Sequence, residues 1–285
     1  MNFVRKGWRE VLIVALLAAN LSVWSVVYAH GETNLLHVYF LDVGQGDAVF
    51  IDSPTHAQVL IDGGPDRKVL SELGKIMPFG DRSIDVVIES HPDADHITGL
   101  IDVMKQYEVG VFLEPGVESE NKIDDALVNI VDEKGIPRAM ARRGMKIDLG
   151  DGAELLVLFP DRDVSGWETN DASVVAKLTY GARSFLLTGD STKKAEYILL
   201  GIDDGILKSD ILKAGHHGSK NSTSLIYAEA VAPEYGVISA GKNNRYGHPS
   251  KEATDILSKV GARIVSTIDL GTIEFETDGE SLVLK

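Results

Sequence analysis

Cysteine is absent from this 285-residue chain, which excludes disulfides, thiolate metal sites and a cysteine nucleophile. Positive charge is also scarce, because 28 Lys and Arg residues face 43 Asp and Glu residues and leave a formal charge of −15. An acidic body of this kind argues against a broad basic surface for nucleic acid. A polyanionic substrate would need local positive charge, and we expect bound metal ions to supply it.

Long hydrophobic runs are absent except near the N-terminus, where Val11–Ala29 carries no charge and follows Arg5, Lys6 and Arg9. The pattern fits a cleaved secretory signal ending before His30, or an uncleaved membrane anchor, which needs about 20 apolar residues. The run exceeds the usual signal core of roughly 7–15 residues, which favours the anchor. A buried N-terminal helix is the third interpretation. Either of the first two places residues 30–285 outside the cytoplasm.

Residues 30–285 are predicted to form one domain. No Pro/Ser-rich linker and no repeat of fixed length divides them. Removing residues 1–29 takes away three basic side chains and one acidic one, so the domain carries −17 against −15 for the whole chain. Each half shows hairpins followed by alternating helix and strand patterns, with turn signals at Gly150–Gly152 and Gly181. This layout predicts an α/β (α+β) fold of two sheet-bearing halves.

The most concentrated chemical signal is HPDADH, residues 91–96, which directly follows the apolar strand pattern of residues 83–90. Imidazole and carboxylate are the ligands that Zn²⁺, Mn²⁺ or Fe²⁺ use where thiolates are missing. A helix cap would explain Asp93 or Asp95, but it would not explain both, nor His91 and His96. The cluster therefore predicts a metal site, with room for two ions side by side.

Further ligand candidates follow other predicted strands. Asp190 ends FLLTGD, His216 and His217 lie in AGHHGS, and His248 lies in NNRYGHP. Five of the eight histidines thus come just after a strand, which is where α/β folds build their sites. A helix cap at Asp190, a hydrogen-bonding role for His216 and a turn before Pro249 for His248 are the simpler alternatives.

Seven motifs in order resemble the metallo-β-lactamase superfamily: FLDVGQGDAVFID, LIDGG, SHPDADH, NDASVV, LLTGD, KAGHHGSKNS and NNRYGHP. Within it, the chain is similar to the extracytoplasmic domain of the ComEC/Rec2 competence proteins, from about Leu36 to the C-terminus. The resemblance implies an αββα sandwich with a dinuclear metal site at one edge of its two sheets. Those proteins also carry a polytopic channel, whereas these residues hold at most one membrane segment, so we expect no transport function.

The resemblance also implies roles for single residues. HPDADH matches the pattern H-x-H-x-D-H, with Asp93 where many members have His. His91 and Asp93 would bind one ion, Asp95 and His96 the other, and Asp190 would bridge them.

Other positions of the family pattern are less direct. His217 is the favoured ligand of the HHGS pair, with His216 facing the substrate. Many members have a histidine ligand in their third motif, and Asn170–Ser173 stands in its place here. Asp171 is then a substitute ligand, and the first ion would be held less tightly. Asp62 would brace the metal loop, and Asp47 would support it or serve turn chemistry.

The function implied is hydrolysis by two divalent ions, Zn²⁺ or Mn²⁺, which lie about 3.5–4 Å apart in such sites and activate a water between them. Asp95 would orient the water, while His216, Lys213 and His248 would stabilise an oxyanion or protonate the leaving group. A phosphodiester substrate, with DNA first, is the leading prediction. A phosphorylcholine ester, lactam or thioester is the second, and a non-catalytic metal-bound binding module is the third.

Overall fold

The computed structural model describes residues 11–18, 20, 34–202 and 205–285. Residues 11–18 and 20 are helical, and the side chains from Val11 to Leu17 that are described are exposed. No helix within the described ranges is both long and apolar enough to cross a membrane. Most of the predicted signal or anchor, residues 1–10, 19 and 21–29, falls outside the described residues. That prediction therefore stays a prediction.

Leu35–Lys285 forms one compact unit. Its strands, in chain order, are β1 (Leu36–Phe40), β2 (Val49–Asp52), β3 (Gln58–Ile61), β4 (Ser83–Ile88), β5 (Glu108–Glu114), β6 (Arg138–Met140), β7 (Lys146–Asp148), β8 (Glu154–Phe159), β9 (Val175–Tyr180), β10 (Arg183–Leu187), β11 (Ile211–Lys213), β12 (Tyr235–Ile238), β13 (Arg263–Ser266), β14 (Ile273–Thr277) and β15 (Leu282–Leu284). Its helices are α1 (Lys68–Ile76), α2 (Ala94–Gln106), α3 (Lys122–Glu133), α4 (Lys193–Gly201), α5 (Leu225–Val231), α6 (Lys251–Lys259) and α7 (Thr267–Leu270). Short 3₁₀ turns lie at Asn170–Ala172 and Gly215–Gly218.

The strands form two sheets. The first has the order β15-β14-β1-β2-β3-β4-β5-β6, and the second has the order β13-β12-β11-β10-β9-β8-β7. In each sheet an antiparallel meander leads into a parallel part, β3 to β6 in the first and β10 to β13 in the second. The repeated layout of hairpins followed by helix and strand is therefore confirmed.

A hydrophobic core lies between the two sheets. Strand β1 alternates strictly, with Leu36, Val38 and Phe40 buried in this core. Phe40 meets Phe275 edge to face, with ring centroids 6.1 Å apart. Burying an aromatic or aliphatic side chain of this size stabilises the fold by about 1.5–3 kcal/mol.

Helices cover the outer face of both sheets. Leu73 of α1, Leu100 of α2 and Leu127 of α3 pack with residues of the first sheet. Leu199 of α4, Tyr227 of α5 and Leu257 of α6 belong to a third core on the second sheet. The layers run helix, sheet, sheet, helix, which confirms the predicted αββα sandwich.

Strand β4 shows why the chain places polar residues at one edge. Its Val86 and Ile88 enter the core between the sheets, whereas Ile84 and Val87 enter the core under the helices. Val86–Ile88, the part of the strand beyond the exposed Asp85, is buried on both faces and apolar, so the polar site residues follow where the strand ends. The parallel strands of each sheet end at the same edge, and the motifs of the sequence follow those ends.

Two glycines fix the start of α2 against the turn after β3. A Cβ added at Gly99 would lie 1.9 Å from the carbonyl oxygen of Gly63, so neither backbone leaves room for a side chain. The Gly63 N–H donates to the His96 carbonyl at 2.7 Å. This contact holds Asp62, the residue before Gly63, directly beneath the first turn of α2.

Candidate metal centre

Polar side chains from both sheets meet at the edge where the parallel strands end. Asp47, His96, Asp190 and His217 each offer one ligand atom, and those atoms all lie within 4.8 Å of one another. All four residues are buried. They come from the β1–β2 loop, the first turn of α2 and the ends of β10 and β11. Two residues from each half of the chain therefore form one group.

Asp190 is the centre of this group. Its Oδ2 lies 3.4 Å from His96 Nε2 and 3.3 Å from His217 Nε2. Asp95 reaches the same place, with Oδ2 3.4 Å from His217 Nε2. We call Asp95, His96, Asp190 and His217 the deep group.

The two histidines of the deep group are held from behind. His96 Nδ1 lies 2.8 Å from Asp62 Oδ2, and His217 Nδ1 lies 2.9 Å from the Ser239 carbonyl oxygen. Both partners are acceptors, so each Nδ1 carries a proton, and in the neutral imidazole each Nε2 presents a free lone pair. Both Nε2 atoms are buried and have no hydrogen-bond partner. Orphaned lone pairs of this kind fit a metal ion.

A second pair lies beside the deep group. His91 Nε2 is 3.6 Å from Asp93 Oδ2 and likewise has no hydrogen-bond partner, and the His91 and His96 ring centroids are 4.1 Å apart. His91 Nδ1 contacts Ser90 Oγ at 3.0 Å, and that hydroxyl donates to Asp62 Oδ2 at 2.6 Å. We call His91 and Asp93 the outer group.

The outer group is less enclosed than the deep group. The Asp93 side chain is 40% exposed, and its Oδ1 accepts a hydrogen bond from Thr169 Oγ1 at 2.8 Å. Asp171 does not join it in this structure. One Asp171 oxygen accepts from the Thr192 hydroxyl, and the other lies 3.0 Å from Lys194 Nζ. Because both oxygens are engaged there, the contacts disfavour the suggested ligand role of Asp171.

Lys213 requires a correction. The sequence suggested that it meets the substrate, but its side chain is only 2% exposed and forms a buried ion pair with Asp47. Its Nζ also donates to the Gly189 carbonyl at 2.7 Å and lies 3.6 Å from Asp190 Oδ1. An ammonium enclosed this way cannot reach a leaving group. It balances the charge of the carboxylates instead.

Asp47 lies behind the rings, on the Nδ1 side. Its oxygens are 3.4 Å from His217 Nδ1 and 3.8 Å from His96 Nδ1. Since the free lone pairs are on Nε2, Asp47 supports the histidines rather than sharing a ligand position with them. The signature DVGQGD pointed to this loop, but its spacing did not reveal the ion pair with Lys213.

The electrostatics of the ion-free group favour positive charge. Burial opposes protonation of His217, but the charges of Asp190 and Asp47 outweigh it and raise its pKa to about 9. Burial likewise opposes ionisation of Asp190, yet His217 and His96 hold its pKa well below the ordinary value. The carboxylates are thus ionised, and without metal the histidines take up protons in its place.

His216 and His248 lie on the open side of the deep group. His216 Nε2 is 3.8 Å from Asp190 Oδ2, and its Nδ1 contacts the Asn170 amide at 3.3 Å. The His216 and His248 rings meet at 5.6 Å, and the exposed Tyr246 ring stacks beside His248. Burial lowers the pKa of both histidines, so both are neutral near pH 7.

Several contributors carried no signal in the sequence. Ser90 and Thr169 orient His91 and Asp93 through their hydroxyls, and Ser239 orients His217 through its backbone carbonyl. A carbonyl can come from any residue type, so Ser239 could not have been found from its identity. His216 and His217 both adopt positive φ, at 48° and 54°, and this turn aims the two neighbouring rings differently.

This chain belongs to the metallo-β-lactamase superfamily, whose family model matches residues 41–242. It is a metal-dependent hydrolase of that superfamily, related to competence proteins. It is 32% identical to ComE operon protein 3 of Bacillus subtilis over 273 residues, which cover 90% of this chain and 34% of that protein. It is 29% identical to competence protein ComA of Neisseria gonorrhoeae over 82% of this chain and 31% of the relative. The chain thus spans about a third of the length of these relatives.

Solved structures share the fold at low sequence identity. Igni18, a metallo hydrolase of Ignicoccus hospitalis, superposes with a TM-score of 0.55 at 15% identity, over 85% of this chain and 99% of Igni18. CmlA, a diiron beta-hydroxylase of Streptomyces venezuelae, gives 0.56 at 16% identity over 88% of this chain and 54% of CmlA. Proteins with different chemistry share this architecture, so the reaction must be argued from the site.

Proposed function

We propose that the chain is a dinuclear metal-dependent phosphodiesterase that acts on DNA outside the cytoplasm. The proposal rests on one observation: buried imidazole Nε2 atoms without a hydrogen-bond partner and ionised carboxylates lie close together. These groups converge on Asp190. The deep group would hold one ion, and the outer group together with Asp190 would hold the other.

Different residues of the protein would have different roles around these ions. When bound, two divalent ions supply Lewis-acid polarisation and a water of lowered pKa, and they neutralise charge in an in-line displacement. With the ions bound, Asp95 would orient that water. His216 and His248 are neutral and lie on the open side, where each can donate an N–H to a phosphoryl or leaving oxygen.

The choice of metal follows from the ligand set. Asp93 replaces a histidine, and the third-motif histidine is absent, so the outer position is richer in oxygen. Oxygen ligands suit a harder ion than zinc, and we expect Mn²⁺ to support turnover at least as well as Zn²⁺.

Two observations support DNA as the substrate. One relative, ComA of Neisseria gonorrhoeae, is named a competence protein, and three exposed cations, Lys220, Lys242 and Arg245, lie close in sequence to His217 and His248. Few cations on a −17 domain mean few phosphates neutralised, so the salt dependence of binding should be shallow. The location outside the cytoplasm rests on the N-terminal sequence. A C-terminal reporter that is active only after export should report activity, and purely cytosolic activity would refute that part.

A substrate panel tests the reaction. Purified protein with Mn²⁺ or Zn²⁺ should cleave single-stranded DNA, duplex DNA or bis-p-nitrophenyl phosphate in preference to p-nitrophenylphosphorylcholine and nitrocefin. Asp95→Asn should abolish turnover, and His216→Ala should lower kcat more than it raises KM. Hydrolysis of the choline ester or nitrocefin alone would establish the alternative hydrolase. No turnover with either metal would favour the binding module.

A further inference from the structure

An acidic pocket separate from the candidate metal centre lies behind the loop between β4 and α2, which we call the metal-binding loop. It is a cavity of about 280 Å³ whose lining includes Glu89, Glu114, Asp124 and Arg138. Glu89 is only 2% exposed, and its Oε2 is buried without a hydrogen-bond partner. None of these residues belongs to the deep or outer group. The pocket is therefore a separate feature that the proposed reaction does not use.

The charges in this pocket do not balance. Arg138 makes two hydrogen bonds to Glu114, at 2.5 Å and 3.1 Å, so these two residues compensate each other. Glu89, Asp124 and the exposed Glu118, which also lines the pocket, remain without a basic partner of their own among the described residues. Burial, followed by the charge of Glu114, raises the pKa of Asp124 to about 6. An unpaired buried carboxylate costs free energy unless a cation or proton compensates it.

We propose that this pocket binds one hard divalent cation, Mg²⁺ or Ca²⁺, through Glu89 and Asp124, with water completing its coordination. Carboxylate oxygens without histidine are the ligands that such ions prefer. The pocket carboxylates do not form a group of three converging ligands, so they cannot enclose a bare ion alone. One water occupies roughly 30 Å³ of liquid volume, so the cavity has room for an ion and several waters.

The position of the pocket ties such a cation to the metal-binding loop. Glu89 directly precedes Ser90 and His91, and Asp124 lies in the first turn of α3. The cap of α3 also contacts the loop, since Asn121 Nδ2 donates to the Pro92 carbonyl at 3.0 Å. A cation between Glu89 and Asp124 would add a second link between α3 and the loop that carries the outer group.

Calcium titration of the full-length, Zn²⁺-loaded protein tests the proposal, because Ca²⁺ competes poorly for imidazole sites. Isothermal calorimetry should show one saturable Ca²⁺ site, with a matching rise in Tm. Glu89→Gln should weaken that binding by at least about tenfold, because ligand charge count tunes Ca²⁺ affinity. Asp124→Asn, at a less buried position, should weaken it as well and serves if Glu89→Gln does not fold.

Two further variants make the test specific. Glu120→Gln removes the same charge from an exposed residue between β5 and α3 that does not line the cavity, and it should bind Ca²⁺ like the wild type. Asp190→Ala, which removes the shared ligand of the metal centre, should retain the Ca²⁺ site. No saturable binding of Ca²⁺ or Mg²⁺ by the wild type would overturn the proposal. So would equal binding by Glu89→Gln and Glu120→Gln, or loss of the site in Asp190→Ala.

Discussion

The deep and outer groups of the metal centre are built differently, although both follow strand ends. In the deep group, Nδ1 of His96 and of His217 is hydrogen-bonded to a buried acceptor. The positive charge of Lys213, which is paired with Asp47, balances the charge of the carboxylates. In the outer group, His91 is hydrogen-bonded to a serine hydroxyl, and the partly exposed Asp93 accepts a hydrogen bond from a threonine. The Asp95 side chain is 32% exposed, but the other three residues of the deep group are buried, and rigid, buried ligands lose less freedom when an ion binds. The deep group should therefore bind its ion more tightly.

The difference also reflects a ligand residue that the outer group lacks. The third-motif histidine of the superfamily has no counterpart here, and Asp171 is engaged with Lys194 instead of filling its place. In the proposed dinuclear centre, the outer group has two residues of its own and would share Asp190 as a third. Variants that remove shared, deep and outer contacts should therefore have very different effects.

The largest effect should come from the residue that both groups share. Asp190→Ala should lose both ions and most activity, because metal assistance supplies several kcal/mol, which corresponds to more than about 1,000-fold in rate. Elemental analysis and kinetics measure this loss. His248→Ala is the control, since it lies on the same edge without contacting a ligand oxygen, and it should keep its metal. Equal metal content in the two variants would contradict the bridging role.

The next effect concerns stability. Lys213→Met should destabilise the protein by about 3–5 kcal/mol, because it leaves Asp47 buried without its partner. Denaturant unfolding measures the change. The double variant Asp47→Leu/Lys213→Met removes both charges and should regain much of the loss. A single variant with unchanged stability but a lower kcat would restore the direct catalytic role that the burial of Lys213 argues against.

The pH dependence of stability should differ between the metal-free and the metal-loaded protein. The folded pKa of His217, about 9, exceeds the ordinary value near 6.5, so its protonation stabilises the metal-free protein below about pH 6.5. That contribution is lost as pH rises through about 9. We expect the Tm of the metal-free protein to fall between pH 7 and pH 9.5. The Zn²⁺-loaded protein should lack this fall, since the bound ion has already displaced the proton.

The same linkage predicts proton release. Calorimetric titration of metal in buffers of different ionisation enthalpy should show protons leaving at pH 7. Metal affinity should rise with pH, by about tenfold per unit for each proton displaced. Metal binding without proton release at pH 7 would show that the histidines of the deep group are not protonated in the ion-free protein.

The smallest effect should come from Asp171. Its ion pair with Lys194 lies near the surface, so Asp171→Asn should cost less than about 1 kcal/mol and leave metal content unchanged. Asp93→Asn is the matched change on the outer group, and it should lose the second ion while retaining the first. Elemental analysis of the two variants compares them directly. Loss of one ion from Asp171→Asn would return this residue to the ligand set.

The fold was largely predictable, because burial on one or both faces imposes regular patterns. The apolar run of β4 and the hairpin signals predicted two sheet-bearing halves, whereas the αββα sandwich was predicted from the family resemblance. The three-residue β6 and the four-residue α7 were missed, since elements this short carry no periodicity.

The site was predictable where residue type decides the role. His91, Asp93, Asp95, His96, Asp190 and His217 meet at one edge, as their motifs suggested. Residue type gave the wrong role where the burial of a side chain determines what it contacts. Lys213 was predicted to meet substrate because it is a cation near HHGS, yet it faces Asp47 in the interior. Distances between side chains from separate strands are set by packing, which no local spacing encodes.

The most direct test of the two-group centre is a metal titration of the metal-free, full-length protein, followed by calorimetry and elemental analysis. Two ions per chain should bind in separate steps, the first to the deep group and the second more weakly. Asp93→Asn should remove only the weaker step, whereas Asp190→Ala should remove both. A single step of one ion per chain in the wild type, or loss of the tighter step in Asp93→Asn, would contradict the account.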